Sequence, residues 1–259
     1  MEICHFRVKD AVAGVRCQTV ATLLGSVYTI TMTRGILIAG NESALTSAIE
    51  VEAVRRVERY TLALLPDRLS GDEAKIGLQG WSSFSVEKRI PLDWNPGSPI
   101  AARALVLAAE NRLEQINEAI LVCDPPSVRT AVADLSLANV EILVNDYIKS
   151  WFFLVRELAA VFRAHGGGVM ALVCPETART GDKDDAADLL GSTALASFRA
   201  LTRGLLAAAF SEPYLTLGFS GVEAGDDTGF AAFIFKLIDE GNRRNNGKFH
   251  KFGKTGLFR

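Results

Sequence analysis

The stretch that decides the fold is an apolar run with a polar ending, Gly35-Ile36-Leu37-Ile38-Ala39-Gly40 followed by Asn41-Glu42-Ser43. A short, continuously apolar run that ends in glycine is typical of a parallel strand buried on both faces. The polar residues after it can cap a helix, which the pattern predicts over 44–58. A strand, a tight turn and a helix in this order indicate an α/β fold.

The same alternation continues to the end of the chain. Further strands are predicted over 60–65, 89–93, 119–123, 169–174, 214–219 and 248–252, and further helices over 100–116, 139–164, 189–210 and 230–242. Apolar residues cover most of the circumference of the 139–164 helix, which predicts that both of its faces are buried. Because strand–helix–strand crossovers are right-handed, the order predicts one doubly wound, Rossmann-like parallel sheet.

The domain organisation follows from where this alternation starts. We predict a Rossmann-like domain over 32–259 and a separate N-terminal extension over 1–31. One hypothesis takes Met32 as the true initiator, since the fold starts naturally there. The other takes the extension as genuine, with a helix and a strand in which Tyr28, Ile30 and Met32 alternate. Sequencing the N-terminus of the native protein distinguishes the two hypotheses.

Composition narrows the class of protein. The chain has 259 residues, is 49% apolar and carries a net charge of −2, so no global field favours nucleic acid or a membrane surface. The cysteines and histidines show no metal-ligand or disulfide spacing, so we expect no metal site. No run reaches the roughly 18–20 apolar residues of a membrane span, and the first ten residues do not resemble a signal peptide. We therefore expect a cytoplasmic protein.

The C-terminal segment is the basic part of the chain. Its cations are Arg243, Arg244, Lys248, Lys251, Lys254 and Arg259, with phenylalanines interleaved. Such a segment is a candidate patch for anions or nucleic acid, but it contains no recognisable binding motif. Alternation on a final strand explains the phenylalanines, so we predict no nucleic-acid partner.

Five segments carry a resemblance to a known family. They are Ala39-Gly40-Asn41-Glu42-Ser43-Ala44-Leu45-Thr46, Leu121-Val122-Cys123-Asp124-Pro125-Pro126, Leu143-Val144-Asn145-Asp146, Gly167-Gly168-Val169-Met170-Ala171-Leu172-Val173-Cys174-Pro175 and Phe198-Arg199-Ala200-Leu201-Thr202-Arg203. In pattern and order they resemble the short-chain dehydrogenase/reductase family over about residues 32 to 259. The first resembles the glycine-rich cofactor loop of that family, T-G-x-x-x-G-x-G, and the last resembles the L-x-x-L-T-R that follows its Y-x-x-x-K.

The resemblance implies an NAD(P) site. Its cofactor-binding positions would be Gly40, Glu42, Leu45, Asp93 and Cys123. Gly40 is kept, but Ala44 and Thr46 replace the other two glycines, which give a tight turn and close approach to the pyrophosphate. Glu42 is either a favourable acid on an empty helix N-terminus or a carboxylate placed beside phosphates. The resemblance thus leaves NAD(P) binding open.

The resemblance also implies where catalytic residues should stand. The Ser, Tyr and Lys positions of the family fall on Pro175, Gly191 and Leu195, whereas the supporting Asn is retained as Asn145. In the family the Tyr moves a proton and the neighbouring Lys lowers the pKa of that Tyr. No tyrosine lies between Ile148 and Pro213, and none of the four tyrosines is followed by Lys four positions later. We therefore predict no catalytic residue at these positions.

Two functions of different class remain open. The first is a non-catalytic relative of the family that acts as an oligomeric interaction, scaffold or sensing module, with an unidentified protein partner. The second is a divergent NAD(P)-dependent oxidoreductase, with an acid/base pair relocated among nearby polar residues. Two helices that pair across subunits in the family are apolar here, at Trp151, Phe152 and Val155 and at Leu195, Phe198, Leu201 and Leu205. They predict a homodimer or homotetramer.

Overall fold

A computed structural model describes nine stretches of the chain. They are residues 19–23, 26–30, 34–56, 59–65, 89–92, 94–126, 131–175, 188–221 and 225–253. The predicted cofactor residue Asp93 lies outside these residues, as does Met32.

Within the described residues, seven parallel strands form the main sheet, in the spatial order β5-β4-β3-β6-β7-β8-β9. Their bounds are β3 Gly35–Asn41, β4 Arg59–Leu65, β5 Arg89–Leu92, β6 Glu118–Val122, β7 Val169–Pro175, β8 Leu215–Gly221 and β9 Lys248–Phe252. Chain order reverses between β3 and β6, as in a doubly wound Rossmann sheet. The predicted fold class is confirmed.

A small hairpin precedes this sheet. Strands β1, Thr19–Leu23, and β2, Ser26–Ile30, pair antiparallel in a separate two-stranded sheet. The predicted strand around Tyr28 and Ile30 therefore corresponds to β2. The helix of that hypothesis falls outside the described residues, so the boundary between 1–31 and 32–259 stays a prediction.

Helices cover both faces of the main sheet. Their bounds are α1 Ala44–Arg56, α2 Pro99–Leu113, α3 Leu137–Ile142, α4 Ser150–His165, α5 Leu189–Ala208 and α6 Asp227–Glu240. Apolar residues of α2, α4 and α5 share a core with Leu37 and Ala39, whereas those of α1 and α6 share one with Ile36 and Ile38. Alternate residues of β3 thus enter different cores, which explains why the strand is apolar throughout.

The predicted 139–164 helix contains a π-helical segment, Leu143–Lys149, between α3 and α4. The prediction that both faces are buried is wrong, since Phe152 of α4 is 53% exposed and Val140 of α3 is also exposed. The extra residue of a π turn shifts the phase of the side chains that follow it. When the segment is treated as one regular α-helix, its apolar residues are therefore assigned to too many sides of the helix, and burial of both faces is predicted wrongly.

Most of the side chains from which the sequence predicted an oligomer interface are buried within the protomer. Trp151, Val155, Leu195 and Phe198 lie in the core of the protomer, where the Trp151 and Phe198 rings meet edge to face at 5.1 Å. Leu201 and Leu205 pack against the same core. Only Phe152 of the set is exposed, because the other side chains are already used to join α4 and α5 to the sheet.

Charged residues join α1 and α6 to the amino edge of the sheet. Arg34 donates to Glu118 at the start of β6 and to Asp239 of α6, the latter at 2.6 Å. Arg56, in the last turn of α1, donates to the same Asp239 at 3.0 Å and to Glu52. Glu118 is buried, and this burial raises the pKa of its carboxyl although the guanidinium of Arg34 lowers it.

Gly168, directly before β7, has a backbone conformation that favours glycine. Its φ is +140°, and an added Cβ would lie 2.4 Å from Cδ1 of the buried Phe162 ring. We expect Gly168→Ala to lower the free energy of unfolding by about 2 kcal/mol or more, because alanine is strained at this φ and the Phe162 ring must move. Gly167→Ala is the matched control, since nothing lies within 4 Å of its added Cβ. Equal denaturation midpoints for the two variants would contradict this packing.

Among the described residues, none of the helices has the length and the apolar character of a membrane span. The same residues contain no group of three or more His, Cys, Asp or Glu side chains placed to hold a metal ion.

Candidate functional site

The carboxyl edge of the sheet defines the first candidate site. Strands β3, β6 and β7 are parallel and end side by side at Asn41, Val122 and Pro175. Chain order reverses between β3 and β6, and open α/β sheets bind ligands in the crevice outside such a point. If the predicted cofactor and catalytic positions form a site, they should therefore lie at this edge of the sheet.

Gly40 lies where β3 closely approaches β6. An added Cβ would be 2.8 Å from the Val122 carbonyl oxygen and 3.2 Å from Thr46 Oγ1. Thr46 is fully buried, and its Oγ1 lies 3.2 Å from Ser43 Oγ. The space beside Gly40 is therefore filled by a threonine side chain, at a position where the glycine-rich loop of the family has a glycine.

Side chains of the turn itself cap the N-terminus of α1. Ser43 Oγ accepts from the Thr46 backbone N–H at 3.2 Å, and Ser47 Oγ donates to the Ser43 carbonyl at 2.9 Å. The first of these bonds satisfies one of the N–H groups that a helix N-terminus otherwise offers to anions. Glu42 is exposed next to this cap, so a carboxylate stands at the entrance to the turn.

Two other predicted cofactor positions lie in the interior. Leu45 belongs to the core between the sheet and α1, and Cys123 is fully buried in the core on the opposite face. Burial, followed by the nearby Cys174 and Asp124, raises the pKa of the Cys123 thiol well above its usual value. A thiol in this state is an unreactive core group.

The three catalytic positions of the resemblance have different surroundings. Pro175 ends β7, and its carbonyl accepts from Arg199 Nη2 at 2.5 Å. Gly191 lies in the first turn of α5, where its N–H donates to Oδ1 of the capping Asp188 at 2.9 Å. An added Cβ would be 2.5 Å from Asp188 Oδ2. Leu195 is 4% exposed and packs in the core.

Asn145, the retained family residue, lies in the π-helical segment. Its Oδ1 accepts from Lys149 Nζ at 3.1 Å, and an added Cβ on Gly97 would be 3.1 Å from its own Cβ. The segment precedes α4 and follows β6, so it lies toward the carboxyl edge. The π geometry, which is frequent at functional sites, had no signal in the periodicity of the sequence.

A basic cleft lies on the α5 side of β8 and β9, and the sequence indicated only its C-terminal part, through Lys251 and the phenylalanines beside it. It has a volume of about 490 Å³ and is lined by Arg199, Arg203, Leu206, Ala207, Ser220, Gly247, Phe249 and Lys251. The four-residue spacing of the two arginines was a usable signal for one wall. Ser220 and Lys251 form part of the other wall. They come together through the register of β8 and β9, which the sequence does not show.

Solved structures that are similar to this chain include short-chain dehydrogenases/reductases. A short chain dehydrogenase from Mycobacterium smegmatis is 16% identical, with a TM-score of 0.65, and the match covers 87% of this chain and 94% of that one. A short-chain dehydrogenase/reductase from Serratia marcescens is 11% identical, with a TM-score of 0.61, over 85% and 96% of the two chains. An NADH-dependent reductase complexed with NAD is 12% identical, with a TM-score of 0.61, over 85% and 95%.

These likenesses define a class of fold. The chain shares the Rossmann-like architecture of short-chain dehydrogenases/reductases over most of its length. No protein-family model and no curated protein matches its sequence. Since identities of this size show the fold alone, the function has to be argued from the residues at the carboxyl edge.

Proposed function

We propose that this protein is a non-catalytic member of the short-chain dehydrogenase/reductase class, acting as an oligomeric interaction, scaffold or sensing module. The observation that carries the proposal is the surroundings of Gly191 and Leu195. The Asp188 carboxylate lies against the first position, and the core surrounds the second. A Tyr–Lys pair needs contact with substrate and cofactor, which neither position offers without repacking.

The cofactor side of the edge supports the same proposal. A pyrophosphate approaches a Rossmann turn along bare glycine backbone and is held by N–H groups of the helix N-terminus. Here Thr46 adds a buried side chain beside Gly40, and Ser43 caps the helix. Glu42 adds negative charge at the same turn. These residues do not fit a dinucleotide bound in the manner of the family.

A second candidate, the divergent NAD(P)-dependent oxidoreductase, is favoured by the Asn145–Lys149 contact. The two side chains are 3.1 Å apart in a π-helical segment toward the carboxyl edge, and Lys149 is exposed. A lysine there could carry a proton in place of the missing pair. Such an enzyme would still need a nicotinamide cofactor, so cofactor binding distinguishes the two candidates.

The proposed homodimer or homotetramer now rests on a smaller surface than the sequence indicated. Phe152 is the exposed apolar side chain of α4, and the outward face of the neighbouring α5 carries the small residues Ala196, Ala200 and Gly204. Small residues let helices approach closely, and an exposed phenylalanine gives a second copy an apolar contact. Cytoplasmic location and an unidentified protein partner remain parts of the proposal that sequence composition alone supports.

The test titrates NADH and NADPH while nicotinamide fluorescence and the thermal unfolding midpoint are followed. We expect no change in either signal up to about millimolar cofactor, because a ligand that binds stabilises by RT ln(1 + [L]/Kd). A rise of several degrees that is lost in Lys149→Gln would favour the oxidoreductase. Arg156→Gln, an exposed cation further along α4, is the matched control.

Light scattering of the same sample tests the oligomeric part of the proposal. We expect a dimer or tetramer at micromolar concentration and a shift toward monomer in Phe152→Glu, because a charge would enter the contact. A monomeric wild-type protein would contradict the oligomer.

A further inference from the structure

The basic cleft beside α5 is separate from the β3–α1 turn where a cofactor would bind. It lies between the C-terminal half of α5 and the strands β8 and β9, at the end of the sheet that is farther from β3. Its volume of about 490 Å³ falls in the usual range for small-molecule sites. The chemistry of its lining therefore indicates which class of ligand it would bind.

Positive charge dominates the lining. Arg199 and Arg203 are one helical turn apart on α5, and Lys251 enters from β9. The described lining residues include no carboxylate, and Arg203 is in no ion pair of the described part of the chain. Arg199 is held in place by its 2.5 Å bond to the Pro175 carbonyl. Such a cluster favours an anion, and guanidinium groups match the oxygens of phosphate or carboxylate.

A buried hydroxyl gives a second, independent indication of a ligand. Ser220 of β8 lines the cleft and is 2% exposed, yet its Oγ has no hydrogen-bond partner. It pairs in register with Lys251, which brings a hydroxyl and an ammonium group to one wall. A buried hydroxyl without a partner destabilises the folded state, so a ligand oxygen that accepts from Ser220 would remove this destabilisation.

The rest of the lining is apolar. Leu206 of α5 is buried, and the half-buried Phe249 of β9 packs beside it. An apolar wall next to a cationic one suits a ligand with a charged group and a flat or aliphatic body. Three cations and a hydroxyl donor match a dianion with three acceptor oxygens better than a carboxylate with two.

We propose that this cleft binds the phosphate group of a small phosphate monoester, through Arg199, Arg203, Lys251 and Ser220, with Phe249 against its organic part. The site is independent of the Rossmann turn. In a sensing module, the ligand of this site would be the signal. The binding proposal does not depend on whether the protein is an enzyme.

The experiment titrates the full-length protein with phenyl phosphate and with inorganic phosphate, by calorimetry at low salt. We expect phenyl phosphate to bind, with about tenfold weaker binding in Arg203→Gln and in Ser220→Ala, since a hydrogen bond to a charged group is worth about 1.5–3 kcal/mol. Arg244→Gln is the control, because this exposed cation lies outside the lining and its loss should change affinity less than about twofold.

The variants also separate a ligand site from a structural role. Ser220→Ala should unfold at the same temperature as the wild type or higher, because it removes a buried hydroxyl that has no partner. Inorganic phosphate binding as tightly as phenyl phosphate would assign the site to the free ion. No binding of either probe, or equal weakening in Arg203→Gln and Arg244→Gln, would overturn the proposal. Lys251→Gln, also exposed, repeats the test if another variant fails to fold.

Discussion

Replacing Arg34 by Met is expected to lower the free energy of unfolding by about 3–5 kcal/mol near neutral pH. The substitution leaves Glu118 as a buried carboxylate without its guanidinium partner, and it also removes a contact to Asp239. Breaking a buried pair costs more than the pair contributes, because the remaining charge is neither solvated nor paired. Chemical denaturation followed by circular dichroism measures the loss.

The loss should depend on pH in a defined direction. Burial already raises the pKa of Glu118, and the guanidinium of Arg34 acts in the opposite direction. Without Arg34 the pKa in the folded state rises further above that in the unfolded state, so folding takes up a proton. Protonation then stabilises the folded variant as pH falls. We expect the difference between wild type and variant to shrink as the pH falls from neutral toward the ordinary range of a glutamate pKa.

The control for this prediction is Arg55→Met. Arg55 contacts Glu52 at 3.1 Å, but its side chain is 66% exposed, and an exposed pair contributes less than about 1 kcal/mol. A loss in Arg34→Met as small as that of the control, or one independent of pH, would contradict the buried network described for the amino edge.

The second large effect is expected for Leu195→Lys, which restores the lysine of the family. Leu195 is 4% exposed and packs in the core with Phe198 and Trp151, so the variant both empties a leucine site and buries a charge. We expect a loss of about 3 kcal/mol or more in the free energy of unfolding, with the midpoint of thermal unfolding falling accordingly. Adding Gly191→Tyr should increase the loss, since its side chain displaces the Asp188 cap.

Ala208→Lys is the matched control, because this residue of the same helix is exposed, lies outside the proposed contact and the basic cleft, and should tolerate lysine within about 0.5 kcal/mol. If Leu195→Lys is as stable as this control, position 195 faces an open cleft. That result would remove the main support for a non-catalytic protein and favour the oxidoreductase.

Most of the fold could be predicted from the sequence because it depends on local pattern. The run Gly35–Asn41 is apolar on both faces, and only a strand covered by helices on both sides satisfies it. Capping residues such as Ser43 and Ser98 mark where helices begin. The π turn at Leu143–Lys149 could not be predicted, since its extra residue leaves no periodic signal of its own.

The site was predicted less completely than the fold. The positions of Gly40, Pro175, Gly191 and Leu195 along the chain were visible, but whether each faces a cleft or the core was not. Cys123 and Leu45 followed the pattern of cofactor residues and lie in the interior. Whether a residue of a helix or strand faces a cleft or the core depends on how that element packs against its neighbours, and a linear pattern carries no information on that packing.

By itself the sequence determined the alternation of buried strands and helices and the absence of a Tyr–Lys pair, because both are properties of residues near one another in the chain. Only the tertiary structure decided which distant groups meet. Arg34 reaches Glu118 across 84 positions, and Ser220 aligns with Lys251 through the register of β8 and β9. Parallel strands leave their register to be set by the packing of the helices between them, so both contacts depend on the whole fold.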